Sequence, residues 1–132
     1  MKRGIPVLVA MLALTAAFPA LAQYPAKPIN MVVPFAAGGS NDIVARAIGK
    51  KLGEAWGQTV IIDNRAGAGG VIGTAHVANA APDGYTLLLI SSTYTINPAV
   101  KSNMPFDTFK AFDPVAFIAS SPLLMASANK LP

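Results

Sequence analysis

The chain has no cysteine and one histidine, His76, among its 132 residues. Disulfides, thiolate catalysis and cysteine-ligated metals are excluded together, and a single histidine with scattered carboxylates does not make a metal site. An oxidising compartment permits disulfides without requiring them, so a folded domain here must rest on its hydrophobic core. Charge is scarce as well: 12% of the residues are charged and 53% are hydrophobic, a balance that argues against disorder. Ten residues are basic and six acidic; setting aside Lys2 and Arg3 leaves eight against six. The eight are scattered singly apart from Lys50-Lys51, with no aromatic stripe between them, so no nucleic-acid partner is expected.

Lys2 and Arg3 open a targeting segment. Residues 5–21 carry no charge, and Ala20-Leu21-Ala22 puts small side chains at the two positions a signal peptidase reads. A signal peptide over 1–22 is expected, with cleavage after Ala22, Gln23 as the new N-terminus, and export. The competing reading is a membrane anchor, but this stretch is at the short limit for spanning a bilayer, and Pro6 and Pro19 interrupt it. A lipid anchor would need a cysteine at the cleavage site.

From Ile29 onward the pattern alternates between apolar runs and glycine-rich loops. Residues 29–35 read as a first strand, β-branched and apolar, with Pro34 near its end where a missing donor is tolerated. Residues 36–40 are small and glycine-rich. A helix is expected from about Asn41 or Asp42 to Trp56, with Ser40, Asn41 and Asp42 as candidate caps and Gly57 as its stop. Its apolar face is read as Ile43, Ala47, Ile48, Leu52, Ala55 and Trp56. A second strand, 60–62, leads into Asp63-Asn64-Arg65, where Asp63 and Arg65 are placed to pair. The loop 66–70 follows, and then a small-residue helix over 71–80. Pro82-Asp83-Gly84 is a turn before a third strand, 85–90, apolar enough to be covered on both faces. Asn97-Pro98 and 104–107 read as turns around a short helix; 114–119 and 123–127 read as further strands. The fold class is α/β, a parallel sheet with right-handed crossovers, whose strands and helices run to Leu131-Pro132 without a closing element.

Three loops, 36–41, 66–70 and 91–95, each follow a strand. In an open parallel sheet they share the side where ligands bind. Helices beginning there direct free N–H groups and positive dipole ends into the crevice, which suits carboxylates. Gly38 and Gly39 let main chain approach a ligand closely. A small anionic or polar ligand held largely by backbone donors is expected. Asp42 could pair with a cation, cap the helix or hold ligand-coordinating water.

Catalytic and cofactor signatures are lacking. No Gly-x-x-x-x-Gly-Lys-Ser/Thr is present, and the glycines at 67, 69 and 73 miss the dinucleotide spacing, so no cofactor is expected. Ser40, Ser91 and Ser92 lie in no Gly-x-Ser-x-Gly elbow. His76 reads as a surface or packing residue, and Trp56 as packing for the first helix rather than a ligand platform.

Several motifs occur in order: Tyr24-Pro-x-Lys-Pro-Ile29, Val33-Pro-Phe-x-Ala-Gly-Gly39, Asp42-x-x-Ala-Arg46, Gly57-Gln58, Asn64-Arg-x-Gly-Ala-Gly-Gly70, Ile72-Gly73 and Pro82-Asp-Gly-Tyr-Thr-Leu87. Together they resemble the extracytoplasmic substrate-binding proteins of tripartite tricarboxylate transporters, the Bug family. The resemblance implies a periplasmic-binding-protein-like (Venus flytrap) fold of two α/β lobes closing on a small solute. It implies no catalysis, a small organic carboxylate as ligand, and membrane permease subunits as partners. It assigns first-lobe ligand contacts to Phe35, Ala37, Gly38, Gly39 and Asp42, with Ala68, Gly69, Ser92 and Thr93 completing that side. Residues 23–132 would be the first-lobe portion, a fragment stopping before the second lobe. Two positions depart from the pattern: Ala111 replaces an acidic residue, and Ala66 a proline. The rival from another class is a periplasmic α/β enzyme whose catalytic residues lie in the missing C-terminal part.

Overall fold

The computed structural model describes residues 23–120, 122 and 126. The expected signal segment 1–22 lies outside them, as does the expected strand 123–127 apart from Ala126. Three strands form one sheet: β1 (Ile29–Val33), β2 (Val60–Asn64) and β3 (Thr86–Leu88). Their order is β2-β1-β3 and both pairings are parallel. The connections are α1 (Ser40–Trp56) between β1 and β2, and a 3₁₀ turn (Ala68–Gly70) running into α2 (Val71–Ala78) between β2 and β3. A third helix, α3 (Thr93–Val100), follows β3. This is the parallel α/β arrangement expected from the alternation.

The central strand is the most buried part of the molecule. Ile29, Val32 and Val33 are fully buried and Met31 nearly so. Met31 and Val33 join Ala45 and Leu89 in a core against which Val44, Ile48, Leu52, Val60, Ile62 and Leu87 pack. Right-handed crossovers leaving β1 in one direction and returning past it in the other put α1 and α2 on opposite faces. The contact of Gly73 in α2 with Pro34, one step off the Met31/Val33 face, agrees with this.

The expected apolar stripe of α1 is only partly correct. Ile48 and Leu52 pack on the core, but Ile43 is 63% exposed and Ala47 and Ala55 are exposed. The buried positions are instead Asp42, Ala45 and Gly49. Close approach accounts for Gly49: a Cβ there would lie 3.1 Å from Ile62 and 3.3 Å from Val60, so the helix passes β2 most closely at that residue. Gly57, in the left-handed region at φ 65°, ends the helix and donates its N–H to Gly53.

Other boundaries moved for identifiable reasons. β1 stops at Val33 because Pro34 has no N–H for the ladder. β2 runs on to Asn64, and the Arg65 N–H still donates to the Val33 carbonyl. β3 is shorter than expected, is half-buried, and is not covered on both faces among the described residues. Asn97-Pro98 does not turn the chain but lies inside α3. Residues 114–119 join no strand; Val115 and Phe117 are each 85% exposed, and no described strand reaches them to supply a ladder. At 104–107 the chain only bends, at Pro105 and Phe106. The hydrogen-bonded turn comes later, at Thr108–Lys110, where the Phe109 N–H donates to the Asp107 carboxylate and the Ala111 N–H to the Asp107 carbonyl. Phe106 and Phe112 from this region gather around Tyr94.

Candidate functional site

Because the strands are parallel and in register, Val33 opposite Asn64 and Val32 opposite Leu88, their C-terminal ends are level. The three following loops therefore emerge on one side. The order of strand addition reverses between β1 and β3, the switch point outside which open α/β sheets bind ligands. The expected contacts all fall at this end: Phe35, Ala37, Gly38 and Gly39 between β1 and α1, Ala68 and Gly69 in the 3₁₀ turn, Ser92 and Thr93 at the start of α3.

The loops are tied together. A Cβ on Gly70 would sit 3.4 Å from the Phe35 ring, so the first two loops touch. Asn97 Nδ2 donates to the Gly69 carbonyl at 3.0 Å, and the Lys101 ammonium donates to the Ala68 carbonyl. Four successive residues, Gly67, Ala68, Gly69 and Gly70, have positive φ, which bends the chain sharply; Ala68, at 48°, is the one that is not glycine.

No side chain caps any of these helices. Gly39 is the N-cap of α1, Gly70 of α2 and Ser92 of α3, and none makes a side-chain capping bond. The expectation of a Ser40, Asn41 or Asp42 cap is corrected accordingly. The leading N–H groups of an uncapped helix remain available to an anion, but at α3 the Tyr94 and Thr95 N–H groups already donate to the Ser91 and Ser92 carbonyls.

Asp42 is 3% exposed, with its carboxylate turned into the fold. It accepts from Arg46 Nε at 2.9 Å, the Gly38 N–H at 2.8 Å and Asn64 Nδ2 at 3.0 Å. The Arg46 hydrogen bond, then that from Gly38, hold its pKa down at about 2 against the opposing effect of burial. The Gly38 N–H is thus already engaged, and the first loop's outward donors are those of the α1 N-terminus. Glycine is required at 38, where φ is 84°, whereas Gly39 has an ordinary φ of −76°.

The sequence assigns no site role to Arg46, Asn64, Asn97 or Lys101, although Arg46 and Asn64 stand within the family motifs. For Arg46 a signal existed, since Asp42 and Arg46 are one turn apart on a helix. Of the two readings of His76, surface or packing, the structure shows the surface one, and Asp63 pairs with Arg65 at 2.6 Å. Among the described residues no group of three or more His, Asp or Glu is placed to hold a metal. A solvent-open groove of about 660 Å³ runs between α1 and β2, from Gln58 and Val60 at the N-terminal end of β2 up to Arg46.

Comparison with known proteins agrees with this architecture. A family described as tripartite tricarboxylate transporter family receptor matches residues 44–132. Protein BugT of Bordetella pertussis is 44% identical over 110 residues, covering 82% of this chain and 34% of that protein. The periplasmic binding protein BugD superposes with a TM-score of 0.66 at 45% identity, over 69% of this chain and 30% of that one. An R. palustris protein solved with adipate superposes at 0.63 with 37% identity, over 65% and 29%. The chain spans about a third of the length of the curated relatives it matches. Motif order, sheet topology and these likenesses converge: the chain belongs to the tripartite tricarboxylate transporter receptor family and has the α/β fold of its periplasmic binding proteins.

Proposed function

We propose that this chain supplies one side of the solute site of an extracytoplasmic binding protein, which captures a small organic carboxylate and delivers it to membrane permease subunits. The observation that carries this reading is the adipate-bound relative, whose fold this chain shares. The crevice has matching chemistry: helix N-termini without side-chain caps converge on it, and each favours a nearby anion by about 0.3–1 kcal/mol. In this reading Phe35, Ala37, Gly39, Ala68, Gly69, Ser92 and Thr93 face the ligand, and Gly38 and Asp42 shape the loop beneath it. The protein acts by binding, without catalysis. It works in the periplasm, and residues 1–22 are removed after Ala22.

Calorimetry on the protein expressed from its complete reading frame tests the reading. Titration with adipate, citrate and hexanoate should show one-to-one binding of a di- or tricarboxylate, unchanged in a His76→Ala control. Absence of heat with every acid would overturn it. Intact-mass measurement of the periplasmic fraction should find a chain starting at Gln23; material that retains Met1 and sediments with membranes would overturn the cleavage.

A further inference from the structure

Three side chains close a ring behind the first loop. Arg46 Nε donates to Asp42 Oδ2 at 2.9 Å, Arg46 Nη2 donates to Asn64 Oδ1 at 3.2 Å, and Asn64 Nδ2 donates to Asp42 Oδ1 at 3.0 Å. Two of these residues stand one turn apart on α1, and the third is the last residue of β2. The ring makes two further bonds, and both go to the loop between β1 and α1. The Gly38 N–H donates to Asp42 Oδ2 at 2.8 Å, and Asn64 Nδ2 also reaches the Phe35 carbonyl at 3.2 Å. The loop is therefore gripped at its entrance and at its apex.

The chemistry is more specific than an ion pair needs to be. Asp42 and Arg46 alone would form a stable i,i+4 pair on α1. Asn64 adds a link to the neighbouring strand, and its amide can satisfy the ring in only one orientation. Flipped, its carbonyl oxygen would face the Asp42 carboxylate and the Phe35 carbonyl, acceptor against acceptor. A carboxylate 3% exposed must have its bonds completed, and here they are completed by the loop.

A planar trans peptide fixes what the grip does. With the Gly38 N–H directed inward to Asp42, the Ala37 carbonyl of the same peptide points the opposite way, out of the fold. Gly38, at φ 84°, is the residue that allows this orientation. The apex thus presents an acceptor at Ala37, next to the donors of the α1 N-terminus.

We infer that Asp42, Arg46 and Asn64 form a positioning device that holds the 37–38 peptide in this orientation and so sets the donor–acceptor pattern met by the ligand. Asn64 is its decisive member, because it alone joins β2 to both Asp42 and the Phe35 carbonyl. The inference rests on the carboxylate-binding reading for its effect on affinity, but not for the grip itself.

Two measurements on the protein from its complete reading frame separate these levels. Hydrogen exchange at the Gly38 amide, in ligand-free protein, reads the grip directly. Asn64→Leu, close in volume but unable to bond, should speed that exchange at least about tenfold, the loss of one charge-assisted bond. Calorimetry with adipate, or whichever acid of the panel binds, should show affinity falling by about tenfold or more. Arg46→Lys, which keeps the charge but loses the bond to Asn64, should fall between the two. Asp83→Asn, at the opposite end of the sheet, controls for general loss of stability and should alter neither readout. Unchanged Gly38 exchange in Asn64→Leu overturns the inference whatever the ligand. Faster exchange with unchanged affinity overturns its role at the site. If the wild type binds no acid, the functional reading fails, and exchange at Gly38 still decides whether the ring holds the loop.

Discussion

The Tyr24 hydroxyl donates to the Gly84 carbonyl at 2.7 Å, tying the segment before β1 to the turn before β3. Around that bond the Ala26 N–H donates to the Tyr85 hydroxyl, Lys27 pairs with Asp83 at 3.2 Å, and the Lys27 ammonium lies 4.2 Å from the centre of the Tyr85 ring. Two family motifs far apart in sequence thus meet at the end of the sheet opposite the loops that follow β1, β2 and β3. Tyr24→Phe should cost about 0.5–1.5 kcal/mol, the net worth of one hydrogen bond. Urea unfolding would show it, and carboxylate affinity should not change.

Gly73 leaves no room for a side chain. A Cβ there would fall 2.7 Å from the Arg65 carbonyl oxygen and 2.8–2.9 Å from Pro34, all rigid neighbours. Gly73→Ala should therefore destabilise by about 1–3 kcal/mol despite alanine's better helix propensity. A lower urea midpoint with an unchanged m-value is the expected result.

Gly38 and Gly39 should separate cleanly. Gly38→Ala meets no neighbour within 4 Å, yet it must hold φ near 84°, at a cost of about 1–2 kcal/mol. Gly39→Ala keeps an ordinary φ and an ordinary 3.4 Å contact with Ala36, so folding should tolerate it. Any affinity lost by the Gly39 variant then measures how closely the ligand approaches the main chain, and denaturation run beside calorimetry distinguishes the two effects.

Acid should loosen the first loop through Asp42. Its pKa falls from 3.8 to about 2 on folding, so the charged form is favoured in the native state. The stabilisation is complete above pH 3.8 and is lost as pH drops toward 2. Asp83 is also lowered, chiefly by the Tyr85 N–H, and contributes in the same direction. Unfolding midpoints followed from pH 6 to 2.5 should decline, with a shallower slope in Asp42→Asn.

The alternation of strand, glycine loop and helix was readable from sequence because each element carries its own local signal. Pro34 marks the end of β1, Gly57 stops α1, and Pro82-Asp83-Gly84 turns into β3. What could not be read was which side of α1 faces inward. Hydropathy favours Ile43 and Trp56, but both are exposed, while Ala45 is buried and Gly49 lies against Val60 and Ile62. Asp42 stood out as a candidate, while its partner Asn64 did not, because their contact depends on how far β2 extends. Residues 114–119 looked like a strand from their apolar side chains, but a strand is defined by a neighbour that composition does not reveal.

The central position of β1 carries a kinetic consequence. This strand is the first to be made, yet it pairs on one side with Val60 and on the other with Thr86. A chain emerging N-terminus first thus holds its most apolar strand unpaired on one edge until two crossover helices have followed it. Such non-local pairing slows folding and prolongs exposure to aggregation. Met31 and Val32 complete their pairing only when Leu87 and Leu88 arrive, so closure of the sheet is a late event in folding.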